Sequence, residues 1–213
     1  MLTQSVNPLE NIAIVLVRPQ YAGNIGSVSR AMKNMGLHRL YLVAPSDYPS
    51  FEASQRAASA SDVLTQAVVV DSLQQALAGC ALVAGTTARL RNVQWPQIDA
   101  RAGGELLFTE SEQHEVALVF GSERTGLLND EMEQCQYLVN IPTSEEYASL
   151  NLAQAVQVPL DTLRRFLRAL TQVGLFAEVE EGVFANTEVS EHLRSDVPYS
   201  LRDMVTVLDD EAV

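Results

Sequence analysis

Six short apolar runs constrain the fold of this chain more than any other feature. They are Ile12–Val17 (IAIVLV), Leu40–Val43 (LYLV), Ala67–Val70 (AVVV), Ala81–Ala84 (ALVA), Val116–Phe120 (VALVF) and Tyr137–Ile141 (YLVNI). A strand with one face in water alternates apolar and polar residues, whereas a strand buried on both faces is apolar throughout. Helical patterns lie between the runs at Ile25–Met35, Ser72–Ala78 and Asn129–Gln134. The alternation predicts an α/β domain built on a parallel sheet with helices on both faces. Ligands of such sheets bind beyond the carboxyl ends of the strands, so the chemistry is to be sought in the loops that follow them.

Four of those loops carry unusual residues. After the first run, Gly23 and Gly26 permit tight turns, and Asn24 is placed to cap the helix that begins there. Arg30 stands six residues further on, either as an exposed arginine or as an anchor that brings a guanidinium toward the positive helix end, where phosphate binds. The spacing is not that of the dinucleotide fingerprint G-x-G-x-x-G. After the fourth run, Thr86 and Thr87 offer hydroxyls to a ligand's polar edge, and Arg89 and Arg91 follow. In Phe120–Leu127 two glycines bracket Glu123, with Arg124 beside it as a structural ion partner. In Ile141–Ala153, Ser149 and Asn151 open a helix, where capping is one available role. No hydrolase triad accompanies Ser149, because His38, His114 and His192 lie outside these loops.

In order and spacing, Asn24-x-Gly26-x-x-x-Arg30, Phe120-Gly-x-Glu123-x-x-Gly126-Leu127 and Ile141-Pro through Ser149-Leu-Asn151-x-x-x-Ala155 resemble the three motifs of the SpoU/TrmH family of SPOUT methyltransferases. The resemblance covers roughly residues 10–158. The stretch from Ile14 to Val158 is most similar to the bacterial tRNA 2′-O-methyltransferases that act on pyrimidine 32 of the anticodon loop. The family implies a sheet whose C-terminal part threads a deep trefoil knot, a homodimer, and S-adenosyl-L-methionine as methyl donor. It also implies that Thr86, Thr87, Ala88, Gly121, Ile141, Ala148, Ser149 and Leu150 line the cofactor pocket. Arg30, with Asn24, Glu123, Ser149 and Asn151, then forms the catalytic cluster. Because arginine stays protonated, Arg30 serves as an electrostatic activator and phosphate anchor, or as a general base. No metal enters this scheme. A ribosomal RNA substrate, or a catalytically silent dimerisation or RNA-binding protein of the same fold, is the alternative.

Charge bears on the partner. The net charge of −13 runs against the basic surfaces usual in RNA-binding domains. Residues 1–158 hold 9 basic and 16 acidic side chains, a balance of −7, and Arg18, Arg30, Arg89, Arg91 and Arg124 fall in or beside the motif loops. A local positive site on an acidic body is compatible with RNA. The two cysteines, Cys80 and Cys135, are far apart and lack a CxxC partner, which points to a reduced, cytoplasmic setting. No apolar run approaches the ~20 residues that span a bilayer, and residues 1–10 have no signal-peptide pattern.

The pattern changes at Pro159, which interrupts a helix running from Leu150. Two domains are therefore expected, 1–158 and 159–213. In the second, an amphipathic helix Leu160–Val173 is closed by Gly174. A hairpin of Leu175–Val179 and Val183–Ala185 turns at Glu181-Gly182, and Thr187 caps a last helix. This small winged-helix-like α+β fragment is similar to part of the winged-helix dimerisation region of class I small-molecule O-methyltransferases, whose catalytic domain is absent.

Overall fold

The computed structural model describes residues 7–87, 95–141, 150–159, 176–180 and 183–187. Seven strands form one sheet: β1 (Ile12–Val17), β2 (Arg39–Val43), β3 (Val68–Val70), β4 (Leu82–Thr87), β5 (Gln97–Asp99), β6 (Val116–Phe120) and β7 (Tyr137–Asn140). Their order is β3-β2-β1-β6-β4-β7-β5, and every neighbouring pair is parallel. Helices α1 (Ala22–Asn34), α2 (Phe51–Ala57), α3 (Ser61–Thr65), α4 (Leu73–Ala76), α5 (Ala100–Ser111) and α6 (Asn129–Met132) connect them. A seventh, α7, covers residues 152–159.

The continuous apolar runs become the centre of the sheet for the expected reason. Every residue of β1 and of β6 is buried. Ala13, Val15 and Val17 pack with Ala117, Val119, Val83 and Leu138 against Leu73 and Ala76 of α4 and against Leu127, Met132 and Cys135. Alternate residues point to opposite sides of a strand. Next to Leu138, Val139 presses its methyls toward Gly103 of α5, so close that a Cβ on Gly103 would stand 2.7 Å from one of them. Helices thus cover both faces. At the sheet's edge β3 leaves Val68 and Val69 about half exposed.

Several elements are absent from the sequence reading. Strand β5 is only three residues long and has a single apolar one, yet it pairs with β7. Helix α5 hides behind Gly103 and Gly104; its start is fixed by Asp99, whose side chain accepts from the backbone N–H groups of Arg101 and Ala102 at 2.8 Å. Helices α2 and α3 are short and pack on α1. Strand β4 begins one residue later than Ala81 and runs beyond Ala84 through Gly85, Thr86 and Thr87, because those residues pair with β7.

The glycines of the first motif do a different job from the one expected. Gly23 and Gly26 lie inside α1 rather than in turns. A Cβ on Gly26 would stand 2.2 Å from the Ala53 carbonyl oxygen and 2.9 Å from the Ala57 nitrogen, so the bare glycine is what lets α2 lie on α1.

Residues Val6–Leu163 form one compact unit, and the second contains the antiparallel pair β8 (Phe176–Glu180) and β9 (Val183–Asn186). That pair is the expected hairpin. Its turn and the helices foreseen at Leu160–Val173 and after Thr187 lie outside the described residues. Pro159 is helical, the last described residue of α7.

Candidate active site

The loops after β1 and β6 and the start of α7 meet beyond the carboxyl ends of the central strands. Arg18 turns the chain out of β1 with φ at 49°, a left-handed conformation that costs a non-glycine residue about 1–2 kcal/mol. Two contacts hold it there. Its N–H donates to the Val43 carbonyl at 2.8 Å, and its guanidinium grips both carboxylate oxygens of Glu131, whose side chain is 7% exposed. Glu131 also accepts from the Leu128 N–H at 2.7 Å, so one buried carboxylate ties the β1 loop to the β6 loop.

Asn24 does not cap α1. The cap position is Tyr21, whose side chain makes no capping bond. Glu123, from the other loop, takes over that task. Its carboxylate accepts from the N–H groups of Gln20 (2.9 Å) and Tyr21 (3.4 Å) and from Asn24 Nδ2 (2.9 Å). A carboxylate at a helix N-terminus is favoured by the helix dipole. The expected pairing of Glu123 with Arg124 is therefore not formed; Arg124 is exposed and makes no ion pair among the described residues.

Glu123 is held out by a very tight loop. The Gly126 N–H donates to the Ser122 carbonyl at 2.8 Å, and Gly126 has φ of +66°. A Cβ on Gly121 would stand 2.1 Å from the Gly126 carbonyl carbon.

Asn151 closes the chain of contacts. Its Nδ2 donates to Asn24 Oδ1 at 2.9 Å, while its Oδ1 accepts the Ala153 N–H at 2.9 Å and so caps α7. The polarity of the network is determined at both ends. Glu123 can only accept, which orients the Asn24 amide, and the Ala153 N–H can only donate, which orients that of Asn151. Three sequence motifs thus share one hydrogen-bonded line, Glu123–Asn24–Asn151.

The expected cofactor residues cluster on the neighbouring strand ends. Thr86 donates its hydroxyl to the Val119 carbonyl at 3.0 Å, and the Thr87 carbonyl accepts from the Ile141 N–H at 3.1 Å. Gly121, Thr86, Thr87 and Ile141 sit at the ends of the adjacent strands β6, β4 and β7, and Leu150 is half-buried just before α7. Ala88, Ala148 and Ser149 lie outside the described residues. Arg30 is exposed on α1 and makes no hydrogen bond among the described residues. At 100° per residue it is about 120° around the helix from Asn24, on the stripe of Gly23 and Gly26.

Sequence reasoning passed over three residues here. Arg18 was noted only as a charge and Glu131 as part of a helix; their pairing is 113 residues apart in the chain. Ser122 has a buried hydroxyl with no hydrogen-bond partner among the described residues. Such an orphan carries a desolvation cost of about 1–3 kcal/mol unless a ligand satisfies it. Among the described residues no group of His, Cys, Asp or Glu is arranged to hold a metal, and no helix is long and apolar enough to cross a membrane.

Comparison with known proteins adds identity to this geometry. Residues 11–161 match the SpoU rRNA Methylase family. The tRNA (cytidine/uridine-2′-O-)-methyltransferase TrmJ of Photorhabdus laumondii is 53% identical over 150 residues, which are 70% of this chain and 62% of that protein. The chain therefore spans about three-fifths of that relative's length. The crystal structure of TrmJ from Z. mobilis ZM4 is 39% identical with a TM-score of 0.68, covering 71% of this chain and 67% of its own. A probable methylase family protein from Haemophilus influenzae Rd KW20 is 35% identical with a TM-score of 0.73, covering 96% of this chain and 89% of its own.

Proposed function

The chain belongs to the SpoU rRNA Methylase family, and from that premise we propose that it is an S-adenosyl-L-methionine-dependent RNA 2′-O-ribose methyltransferase acting on tRNA at pyrimidine 32 of the anticodon loop. The observation that carries the reading is the line Glu123–Asn24–Asn151, which joins the three family motifs at one point beyond the strand ends. The tRNA substrate is favoured over ribosomal RNA by the likeness to TrmJ.

The residues present fit the methyl donor. Thr86, Thr87, Gly121, Ile141 and Leu150, with Ala88, Ala148 and Ser149, would hold it, and the Ser122 hydroxyl, buried and without a partner among the described residues, is a polar group suited to it. When bound, S-adenosylmethionine supplies a methyl group on a sulfonium. The chain's own task is to hold a ribose 2′-hydroxyl in line with that methyl at near-attack distance, about 3–3.5 Å. Glu123 is engaged by three donors, so it orients Asn24 rather than taking the hydroxyl proton. Arg30 is exposed and unpaired among the described residues. Its guanidinium charge would stabilise the alkoxide oxygen as the 2′-hydroxyl proton passes to solvent water, and would anchor a substrate phosphate.

The same reading includes a C-terminal deep trefoil knot, a homodimer in the cytoplasm, and a boundary near 158 before a winged-helix-like fragment. The direct test is transfer of labelled methyl from S-adenosylmethionine to bulk tRNA and, separately, to ribosomal RNA, followed by mapping of the modified ribose. Label in tRNA at pyrimidine 32 is expected. Label confined to ribosomal RNA would overturn the substrate assignment, and cofactor binding without transfer to either would favour the silent alternative.

A further inference from the structure

Seven lysines and arginines fall among the described residues, and they divide sharply. Arg18, Lys33, Arg39 and Arg101 are paired with Glu131, Asp62, Glu115 and Glu105. Arg30, Arg56 and Arg124 are exposed and have no partner among the described residues. On a chain with net charge −13, leaving three guanidiniums unpaired is conspicuous only if they are together. Arg30 is on α1 itself, while Arg56 is on the helix that packs on α1 and Arg124 is next to the residue that binds its start. Arg30 lies one turn past Gly26. Arg56, on α2, runs its side chain along the same stripe: its Cβ lies 2.8 Å from where a Cβ on Gly26 would stand, and its Cγ 3.6 Å from that of Gly23. Arg124 follows Glu123, which binds the start of α1.

Two exposed aromatic side chains are at the same place. Tyr21, 58% exposed, is the cap residue of α1, and Phe51, 78% exposed, is the first residue of α2. The helix starts are in contact, because the carboxylate of Glu52 lies 2.6 Å from where a Cβ on Gly23 would stand. Glu52 is the carboxylate nearest to Arg56 along α2, but it is turned to the N-terminal turn of α1 and makes no salt bridge with the arginine. Apolar rings that gain nothing from the protein's own core, flanked by uncompensated guanidiniums, match a ligand with flat apolar faces and an anionic backbone. Single-stranded nucleic acid has both, and each base has a face to stack regardless of sequence.

We propose that Tyr21, Phe51 and Arg56 form a platform beside the Glu123–Asn24–Asn151 line that holds the unpaired RNA flanking the target nucleotide, the rings stacking on its bases and Arg56 on a phosphate. This rests on the RNA methyltransferase reading and adds residues to it on α2, an element outside the three motifs. The platform explains how an acidic protein binds RNA: its attraction is local, with stacking supplying part of the affinity that charge does not.

The test uses the full chain and the variants Phe51→Ala and Arg56→Gln, with fluorescence anisotropy on a labelled anticodon stem-loop and on oligouridine across a salt series. Phe51→Ala is expected to weaken binding of both RNAs by at least about 5-fold, as loss of a base stack does. Arg56→Gln is expected to weaken it and to lower the slope of log K against log salt by about one. Both residues are exposed, so the melting temperature should not move; in methyl transfer, KM for RNA should rise while kcat and cofactor affinity hold. Unchanged RNA affinity and KM in both variants, with normal methylation by the parent chain, overturn the platform and leave the proposed function standing. Loss of RNA binding in the variants of a parent that binds but never methylates supports the platform and refutes the proposed function. A change in oligomeric state without a change in RNA binding assigns the patch to a second copy of the chain and overturns the proposal.

Discussion

The packing of α2 on α1 gives the most calculable perturbation. In Gly26→Ala the new methyl would stand 2.2 Å from the Ala53 carbonyl oxygen, 2.8 Å from the Arg56 Cβ and 2.9 Å from the Ala57 nitrogen. Two of these are backbone atoms of α2, so the helix itself must retreat by roughly 1 Å to restore van der Waals contact. Overpacking of this kind costs about 1–3 kcal/mol, and a rigid backbone neighbour puts it at the upper end. Against it stands the helix-propensity gain of replacing glycine, about 1 kcal/mol. The net expectation is a loss of about 2 kcal/mol, or about 4–8 °C in melting temperature for a chain of this size. Gly23→Ala is the control. Its close neighbour at 2.6 Å is the end of the Glu52 side chain, which can swing away, so stability should stay within about 1 kcal/mol of the parent. Thermal melts followed by circular dichroism decide the matter. Equal melting temperatures for the two variants would refute the claim that α2 seats directly on Gly26.

Three further outcomes follow from the site. Arg18→Met leaves the buried Glu131 carboxylate facing the gap; the cost of breaking a buried pair, reduced because Arg18 is 36% exposed, is about 2 kcal/mol by urea denaturation, and kcat should fall while cofactor affinity holds. Asn151→Asp keeps the oxygen that caps α7 but sets a second acceptor against Asn24 Oδ1, so stability should fall by about 1 kcal/mol and methyl transfer drop on the order of 10-fold in single-turnover kinetics. Burial, with the Glu131 charge adding to it, pushes the Cys135 thiol up to about 12, so its neutral form persists well above the ordinary cysteine range. A thiol reagent at pH 8 should therefore modify Cys135 only in denaturant, and the stability this burial carries should be lost as pH rises from the ordinary thiol range toward 12; Cys80, half-buried and also shifted upward by burial, should react slowly in the native protein.

The sheet was legible because β1 and β6 are buried on both faces, which leaves an unbroken apolar run as the only workable sequence. Strand β5 was not, since an edge strand held only by β7 needs little apolar surface of its own. In the site, residue types were readable and their partners were not. Glu123 looked like a partner for Arg124 because the two are adjacent. The fold instead brings it to Gln20, Tyr21 and Asn24, about a hundred residues away in the chain. Gly26 looked like a turn glycine for the same reason: α2 carries no apolar run that announces a helix pressed against α1. Nothing local encodes a contact made by another segment.

The most direct test of the account is single-turnover methyl transfer to tRNA by Arg30→Ala, measured beside the dissociation constant for S-adenosylmethionine. Arg30 is exposed on α1 and makes no hydrogen bond among the described residues, so its proposed role is toward the ribose and phosphate, and methyl transfer should be abolished while cofactor affinity is retained. Loss of both together would make Arg30 a structural residue, and retention of both would remove it from the chemistry.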